Sequence, residues 1–478
     1  MKGRLELLFE ERGRIRRVGV VGMGYVGIPS AVLFADAPVY ESVLGFQRES
    51  PSGKQKIAML NRGESPLKGE EPELAGILQR VVREGRFRCT SDFSEVGSCD
   101  AVTIAVQTPF RRPEDLVPDF SPLEEAVRRV GEHLVDGMLV VLESTVTPGT
   151  TTGIVRQLLE GASGMRAGED FALAHAPERV MVGRLVRNLR EHDRIVGGID
   201  DASTRRACEL YRPILTKGKL IPMGATAAEV EKTAENALRD LQIAAANQLA
   251  IYCEAMGVNF YDVHHGIASL REEGVTRALL LPGAGVGGHC LTKDTFHLER
   301  GARMLGGGAP LPQEIGSLFL VARRVNDFMP VHMAELTLAG LVRAGKKMDG
   351  ARIALLGWAF IADSDDARNT PAEAFRNLVA GRGAEVSVHD PHVEEYEGVE
   401  ILHDLDAALA GADAIAICTG HRLYRSLEPA HVRTLSGAPH PVIVDGRNVI
   451  DPDPFIHAGF VYKGIGRGDR NSHRIAEA

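Results

Sequence analysis

The chain has 478 residues, 44% hydrophobic and 25% charged, so at roughly 150 residues per domain it divides into about three core-forming units. With 55 Lys and Arg against 64 Asp and Glu, the net charge is −9. That excludes a whole-chain attraction to nucleic acid or an anionic membrane, and an anionic ligand needs a local basic pocket. The 52 glycines and 5% aromatics fit an α/β chain with many tight strand-to-helix turns. Six scattered cysteines without a CxxC pair indicate neither a disulfide framework nor a zinc knuckle. With no secretory leader and no apolar run of about 18 residues, the cytoplasm is the expected setting.

In chain order, Arg17 to Ala35 reads as a β-branched strand, a glycine turn and an apolar helix. Strand-like runs follow at Ala101–Val106, Met138–Leu142 and Phe171–Ala174, with a helical pattern over Pro122–Leu134. This alternation predicts a parallel sheet covered by helices over roughly 14 to 220. From Ala225 to about Met256 a proline-free stretch rich in Ala, Leu, Glu and Gln predicts one long helix, apolar on several sides, of the kind found between domains or subunits. Gly301–Pro312 is the most linker-like stretch, and Gln313–Leu341 is helical in pattern. A second α/β region starts at Ala351, with strand-like ARIALLGWAF, AEVSVHDP, ADAIAICTG and PVIVDGRN.

Gly22-Met23-Gly24-Tyr25-Val26-Gly27 matches GxGxxG between a strand and a helix, the context in which glycines let the backbone approach a pyrophosphate. An acidic residue about 20 positions on normally grips the adenosine ribose. Here that place reads Phe46-Gln47-Arg48: Gln47 can hydrogen-bond a ribose hydroxyl without a carboxylate's charge, and Arg48 can welcome a 2′-phosphate. NAD is the favoured coenzyme, with NADP left open.

Pro282–Asp294, PGAGVGGHCLTKD, sets Cys290 in a glycine-rich loop followed by Lys293 and Asp294. Open space at the sulfur and a nearby cation are what a covalent thiol mechanism needs. A buried, inert thiol is the ordinary reading for the other five cysteines. His264-His265 and His389-Asp390-Pro391-His392 lack further ligands at metal-binding spacing, so no metal is expected.

GMGYVGIP, TIAVQTP, ESTVTPGTT, APERVMVGR, EVEKTAENA, PGAGVGGHCLTKD, DARNTPA and VDGRN occur in that order over about 430 residues. Together they resemble the UDP-glucose/GDP-mannose dehydrogenase family of nucleotide-sugar 6-dehydrogenases, with GVGGHC and ESTVTPGTT most similar to its UDP-N-acetylhexosamine branch. The resemblance implies an α/β fold of two Rossmann-like parallel-sheet domains joined by a long central helix and a helical middle domain. The expected segments are 14–222 for NAD, 223–340 for dimerisation and the catalytic cysteine, and 349–465 for the UDP-sugar. It also implies a four-electron oxidation of the sugar C6 alcohol to the uronate through a cysteine thiohemiacetal and thioester, for polysaccharide or glycan synthesis.

By that resemblance Cys290 is the nucleophile, and Lys232, with Asp294 and a water, does acid/base work at C6. Lys232 and Asn236, at i and i+4 on one helix face, stabilise oxyanions. Glu178 activates the hydrolytic water and Thr145 positions it. Gly22, Gly24, Tyr25, Val26, Gly27, Gln47, Thr108 and Lys293 are the expected cofactor residues; Arg447, Gly287 and Gly288 are the expected substrate residues. The expected partners are a UDP-sugar and a second copy of the chain in a homodimer or higher oligomer, with no nucleic acid and no membrane. Where many family members carry a substrate-contacting lysine, this chain has Ile361 in Gly357-Trp358-Ala359-Phe360-Ile361. UDP-N-acetylmannosamine is the first substrate expectation. UDP-glucose, UDP-N-acetylglucosamine or UDP-N-acetylgalactosamine, and a non-catalytic nucleotide-sugar binder, are the alternatives.

Overall fold

The computed structural model describes residues 3–67, 71–112, 116–179, 184–269, 280–309, 311–312 and 314–467. Of the APERVMVGR motif, residues 180–183 lie outside the described residues. The chain divides into two compact units: Met1–Glu235 with Phe296–Ile315, and Asn236–Thr295 with Gly316–Ala478.

The first unit is built on eight strands: β1 (Arg17–Val21), β2 (Ser42–Phe46), β3 (Phe87–Thr90), β4 (Ala101–Ile104), β5 (Leu139–Leu142), β6 (Ala172–His175), β7 (Arg194–Gly198) and β8 (Leu220–Gly224). Their order is β8-β7-β6-β5-β4-β1-β2-β3. Strand order reverses between β1 and β4, which opens a crevice at their carboxyl ends. All neighbours run parallel except β6 and β7, which pair antiparallel through Ala174 and Gly198. The sheet is thus mixed at one junction, where the expectation was parallel throughout. The connection through the short helix Leu185–Glu191 returns the chain alongside β6 in the opposite sense. Period-two burial explains the layering: Leu139 and Val141 join one apolar cluster, Val140 and Leu142 the other.

The second unit repeats the plan with β9 (Arg352–Leu356), β10 (Glu385–His389), β11 (Ile401–Leu402), β12 (Ala414–Ile417), β13 (Val442–Asp445) and β14 (Val461–Gly464), in the order β11-β10-β9-β12-β13-β14. Every pair is parallel. Ala414 and Ala416 face one cluster while Ile415 and Ile417 face the other.

The long helix forms over Ala225–Ala255, directly after β8. The stretch expected as a linker is helical as far as Leu305, because Ala302, Arg303, Met304 and Leu305 are good helix formers. Gly301 is kept there by contact: a Cβ would lie 2.6 Å from Pro148 Cδ. The next helix starts later than expected, at Leu318, where Ser317 caps it by accepting from the Leu320 amide at 3.2 Å, and runs to Arg343. Among the described residues no helix is long and apolar enough to cross a membrane.

Candidate active site

In the first unit the glycine turn closes on itself. Gly22 has φ +97°, its amide donates to Phe46 O at 2.9 Å, and a Cβ on it would lie 2.5 Å from Ala105 O. A Cβ on Gly27 would strike Gly22 O. A Cβ on Gly24 would meet nothing within 4 Å, so the turn is open on the side a pyrophosphate approaches. Tyr25 and Val26, half-buried, complete the entry to the helix Gly27–Asp36. Gln47 Oε1 accepts from the Met23 amide at 3.2 Å, and Lys56 Nζ donates to Met23 O at 2.8 Å. These residues fit a dinucleotide: a glycine backbone for the phosphates at a helix start, and polar side chains at the end of β2.

Deeper in this unit, Thr108 and Thr145 come together, with Thr108 Oγ1 donating to Thr145 O at 2.5 Å. Glu178 sits at the carboxyl end of β6, where its Oε1 accepts from the Arg179 amide at 2.8 Å and its Oε2 pairs with Arg194. Arg194 also pairs with Glu143 at 2.9 Å and lies over the Tyr211 ring at 3.9 Å. Tyr211 in turn donates to Glu143 at 2.7 Å. Burial pushes Glu143 up to about 6; Arg194 pulls against that and Glu178 adds to it. Arg194 stays charged, because Glu178, Tyr211 and Glu143 outweigh the burial that would lower it.

Lys232 is buried on the long helix. Its neighbour His175 is fully buried and held down to about 3, first by burial and then by the Lys232 charge. Neither ring nitrogen of His175 has a hydrogen-bond partner among the described residues. One turn before Lys232, Glu229 accepts from the Gly149 and Thr151 amides at 2.6 and 2.7 Å and from Thr151 Oγ1 at 2.6 Å. This fastens the long helix to the TPGTT loop.

In the second unit, Cys290 is exposed while the other five cysteines are buried. Its carbonyl accepts from the Lys293 and Asp294 amides at 3.1 and 2.9 Å, so it stands at the start of the helix Leu291–Leu305, whose positive end favours anionic charge. Asp294 is fully buried; its Oδ2 accepts from Asn236 Nδ2 at 2.6 Å and its Oδ1 pairs with Lys293 at 3.2 Å. Three of the sequence-predicted residues are thereby joined beside Cys290.

The loop leading to Cys290 is pinned from several sides. Arg447 donates through Nε to Cys418 O at 3.0 Å and through Nη2 to Gly285 O at 3.2 Å, and burial lowers its pKa. Gly287 and Gly288 press on Phe360: a Cβ would lie 2.5 Å from its Cβ or 2.7 Å from its Cζ. The structure thus gives these three expected substrate residues a packing role of their own. Asn247 Oδ1 accepts from the Gly283 amide at 2.9 Å and Asn247 Nδ2 donates to Asn326. Asn326 and Arg323 both bond Asp240, at 2.8 and 2.6 Å. Burial raises Asp240 to about 6 against the pull of Arg323.

The fold brings Asp363 and His421 beside His392, a grouping that the sequence spacing does not show. His421 Nδ1 accepts from the Asp363 amide at 2.9 Å and His421 Nε2 bonds Asp390 at 3.1 Å, so both ring nitrogens of the Asp363–His392–His421 group's central member are engaged. Ile361 is 38% exposed and brings no charge to its position.

Sequence reasoning missed Glu143, Arg194, Glu229 and the Asp240–Arg323–Asn326–Asn247 chain. Glu143 and Glu229 lie inside quoted motifs; for Glu143, a charged residue directly after the apolar strand Leu139–Leu142 is the signal that marks such a group.

Three models of one family match the chain. The NAD-binding domain of the UDP-glucose/GDP-mannose dehydrogenase family matches residues 16–215, its central domain 226–318 and its UDP-binding domain 354–452. A solved structure described as an NDP-N-acetyl-D-galactosaminuronic acid dehydrogenase from Methanosarcina mazei is 63% identical, with a TM-score of 0.91, covering 99% of this chain and 100% of that one. A UDP-N-acetyl-D-mannosamine dehydrogenase of Pyrococcus horikoshii is 37% identical over 454 residues, covering 95% of this chain and 100% of the relative. An NDP-N-acetyl-D-galactosaminuronic acid dehydrogenase of Ralstonia solanacearum is 32% identical, covering 91% and 96%.

Proposed function

The chain belongs to the UDP-glucose/GDP-mannose dehydrogenase family, and from that premise we propose that it oxidises C6 of a UDP-N-acetylhexosamine, UDP-N-acetylmannosamine first, to the uronate. It is an NAD-dependent nucleotide-sugar dehydrogenase. The observation that carries the covalent route is Cys290: one exposed thiol at a helix start, against five buried ones.

NAD, when bound, supplies the hydride acceptor for each of two rounds of oxidation. The turn of Gly22, Gly24 and Gly27 lets its pyrophosphate come close to the backbone at the helix start, and Gln47 meets the adenosine ribose. Lys232, with Asp294 and a water, takes the C6 hydroxyl proton in the first round, leaving an aldehyde. The Cys290 thiolate adds to that aldehyde carbon, and Lys232 and Asn236 donate to the oxygen of the resulting thiohemiacetal. Loss of a second hydride turns this adduct into a thioester. Glu178 then takes a proton from a water positioned by Thr145; the water attacks the acyl carbon, the C–S bond breaks, and the Cys290 thiolate leaves with the carboxylate formed. Arg447, Gly287 and Gly288 shape the loop that presents the thiol, with Thr108 and Lys293 on the coenzyme side.

The segments 14–222, 223–340 and 349–465 are assigned to coenzyme, thiol and UDP-sugar respectively, in a cytoplasmic homodimer paired through the long helix. The Methanosarcina mazei structure, at 63% identity, supports a second reading in which the N-acetylhexosamine has the galacto configuration. Purified chain incubated with UDP-N-acetylmannosamine, UDP-N-acetylgalactosamine, UDP-N-acetylglucosamine and UDP-glucose, followed by NADH absorbance, separates these readings. Turnover of UDP-N-acetylmannosamine above the rest is expected; turnover of UDP-glucose alone would overturn the proposal.

A further inference from the structure

Cys290 sits in a loop whose two ends are gripped by one chain of buried polar side chains. Asp240 and Asn247 share a face of the long helix, two turns apart, and Arg323 and Asn326 share a face of the helix Leu318–Arg343. All four are buried. Arg323 Nη1 donates to Asp240 Oδ1 at 2.6 Å, and Asn326 Nδ2 donates to the same oxygen at 2.8 Å and to Asp240 O at 2.9 Å. Asn326 Oδ1 accepts from Asn247 Nδ2 at 2.9 Å. From each end of this chain one bond reaches the loop. Asn247 Oδ1 accepts from the Gly283 amide at 2.9 Å, where the loop begins, and Arg323 Nη1 donates to Leu291 O at 3.4 Å, directly after Cys290.

Stability alone does not account for the chain. A buried Asp–Arg pair gains little over apolar residues of the same volume, because desolvation offsets its attraction. Here Asp240 Oδ2 and Arg323 Nη2 also lack hydrogen-bond partners among the described residues, which adds to the cost. What the chain supplies is placement: two backbone groups of a glycine-rich loop are fixed to two helices. Cys290 stands at the start of the helix Leu291–Leu305, whose positive end favours a thiolate only while the residue keeps that place.

We propose that Asp240, Arg323, Asn326 and Asn247 are positioning residues for the nucleophile, tying both ends of the Cys290 loop to two helices and so holding the thiol in its reactive place. This rests on the reading of Cys290 as the nucleophile and deepens it.

The test is the rate of Cys290 alkylation by iodoacetamide in the purified full-length chain, read site by site by mass spectrometry, with the five buried cysteines as slow internal references. Neutral buffer keeps Asp240 charged, since burial raises it only to about 6. The double variant Asp240→Leu/Arg323→Met replaces the pair by apolar residues of similar volume, so its melting temperature is expected to hold or rise. Its Cys290 alkylation is expected to slow about tenfold, the thiolate fraction lost when the helix start no longer favours it. Arg323→Lys keeps a charge opposite Asp240 but lacks the fork that also reaches Leu291 O, and is expected to slow alkylation less. In both variants kcat is expected to fall with the alkylation rate while KM for NAD holds. Unslowed alkylation in either variant would overturn the inference and leave Cys290 as the nucleophile. Loss of cooperative melting in both would make the four residues a folding requirement instead, and would also overturn it. Full uronate yield from Cys290→Ala would overturn the reading on which the inference rests.

Discussion

The two sheets make the same turn at the end of their first strand and use it in opposite ways. In the first unit β1 ends at Val21 and Gly22 turns at φ +97°; in the second β9 ends at Leu356 and Gly357 turns at φ +94°. The Gly22 amide donates to the last residue of β2, Phe46, at 2.9 Å, and the Gly357 amide to the last residue of β10, His389, at 2.8 Å. The difference lies one residue later. After β2 stands Gln47, which takes a single amide from the turn. After β10 stands Asp390, whose carboxylate takes the Trp358 and Ala359 amides at 2.7 and 2.8 Å and the His392 and Val393 amides at 2.8 and 3.0 Å. A turn whose amides are satisfied by its own carboxylate has none to offer a phosphate, whereas the Gly22 turn keeps its open side. One architecture thus carries an open turn in the first unit, where the NAD-binding family domain matches, and a turn closed by Asp390 in the second.

The largest expected effect sharpens that division of labour. Cys290→Ala should lower acid formation by more than about a thousandfold, the scale of losing a nucleophile, while coenzyme binding by the first unit persists. Chromatography of the products, with NADH fluorescence titration alongside, checks both halves of the statement.

Next in size, Gly24→Val starts a side chain in the open space over the first turn, where its Cβ meets no protein atom within 4 Å. Coenzyme affinity should fall about a hundredfold, the value of two or three backbone contacts to phosphate, with little change in melting temperature. An unaltered affinity would break the comparison at its open end.

Asp390→Asn attacks the closed end. Its carboxylate is fully buried, and removing its charge from four amides and His421 should cost about 2–4 kcal/mol in urea unfolding, with NADH affinity unchanged. The pH dependence carries the same sign. Burial alone would raise Asp390, but His421 and the amides outweigh it and hold the group at about 2, below its ordinary 3.8. Its contribution is therefore present above about pH 4 and is lost as pH falls toward 2.

Glu143 gives the smallest and opposite effect. Because burial raises it to about 6 from 4.5, the stability linked to its protonated form is present below about pH 4.5 and is lost as pH rises through 6. Glu143→Gln should flatten the urea midpoint over that interval. An unchanged slope would remove Glu143 as its source.

How much of this was legible beforehand depends on whether the determinants were local. The glycine turn, the long helix and the exposed Cys290 are visible because glycine spacing, helix propensity and a thiol among glycines are properties of short segments. The Glu143–Arg194 and Arg323–Asp240 pairs join residues 51 and 83 apart, and no local pattern links them. The antiparallel β6–β7 pair and the two-residue β11 were hidden for the same reason: strand sense and edge pairing are set by tertiary packing. Asp390 looked like part of a histidine cluster until the four amides around it were in view.

The covalent, two-round oxidation on Cys290 is tested most directly by stoichiometry. With limiting UDP-N-acetylmannosamine and excess NAD, the account expects two NADH per sugar consumed, the uronate as sole product, and no uronate from Cys290→Ala. One NADH per sugar with a free aldehyde as product, or full uronate yield from Cys290→Ala, would contradict it.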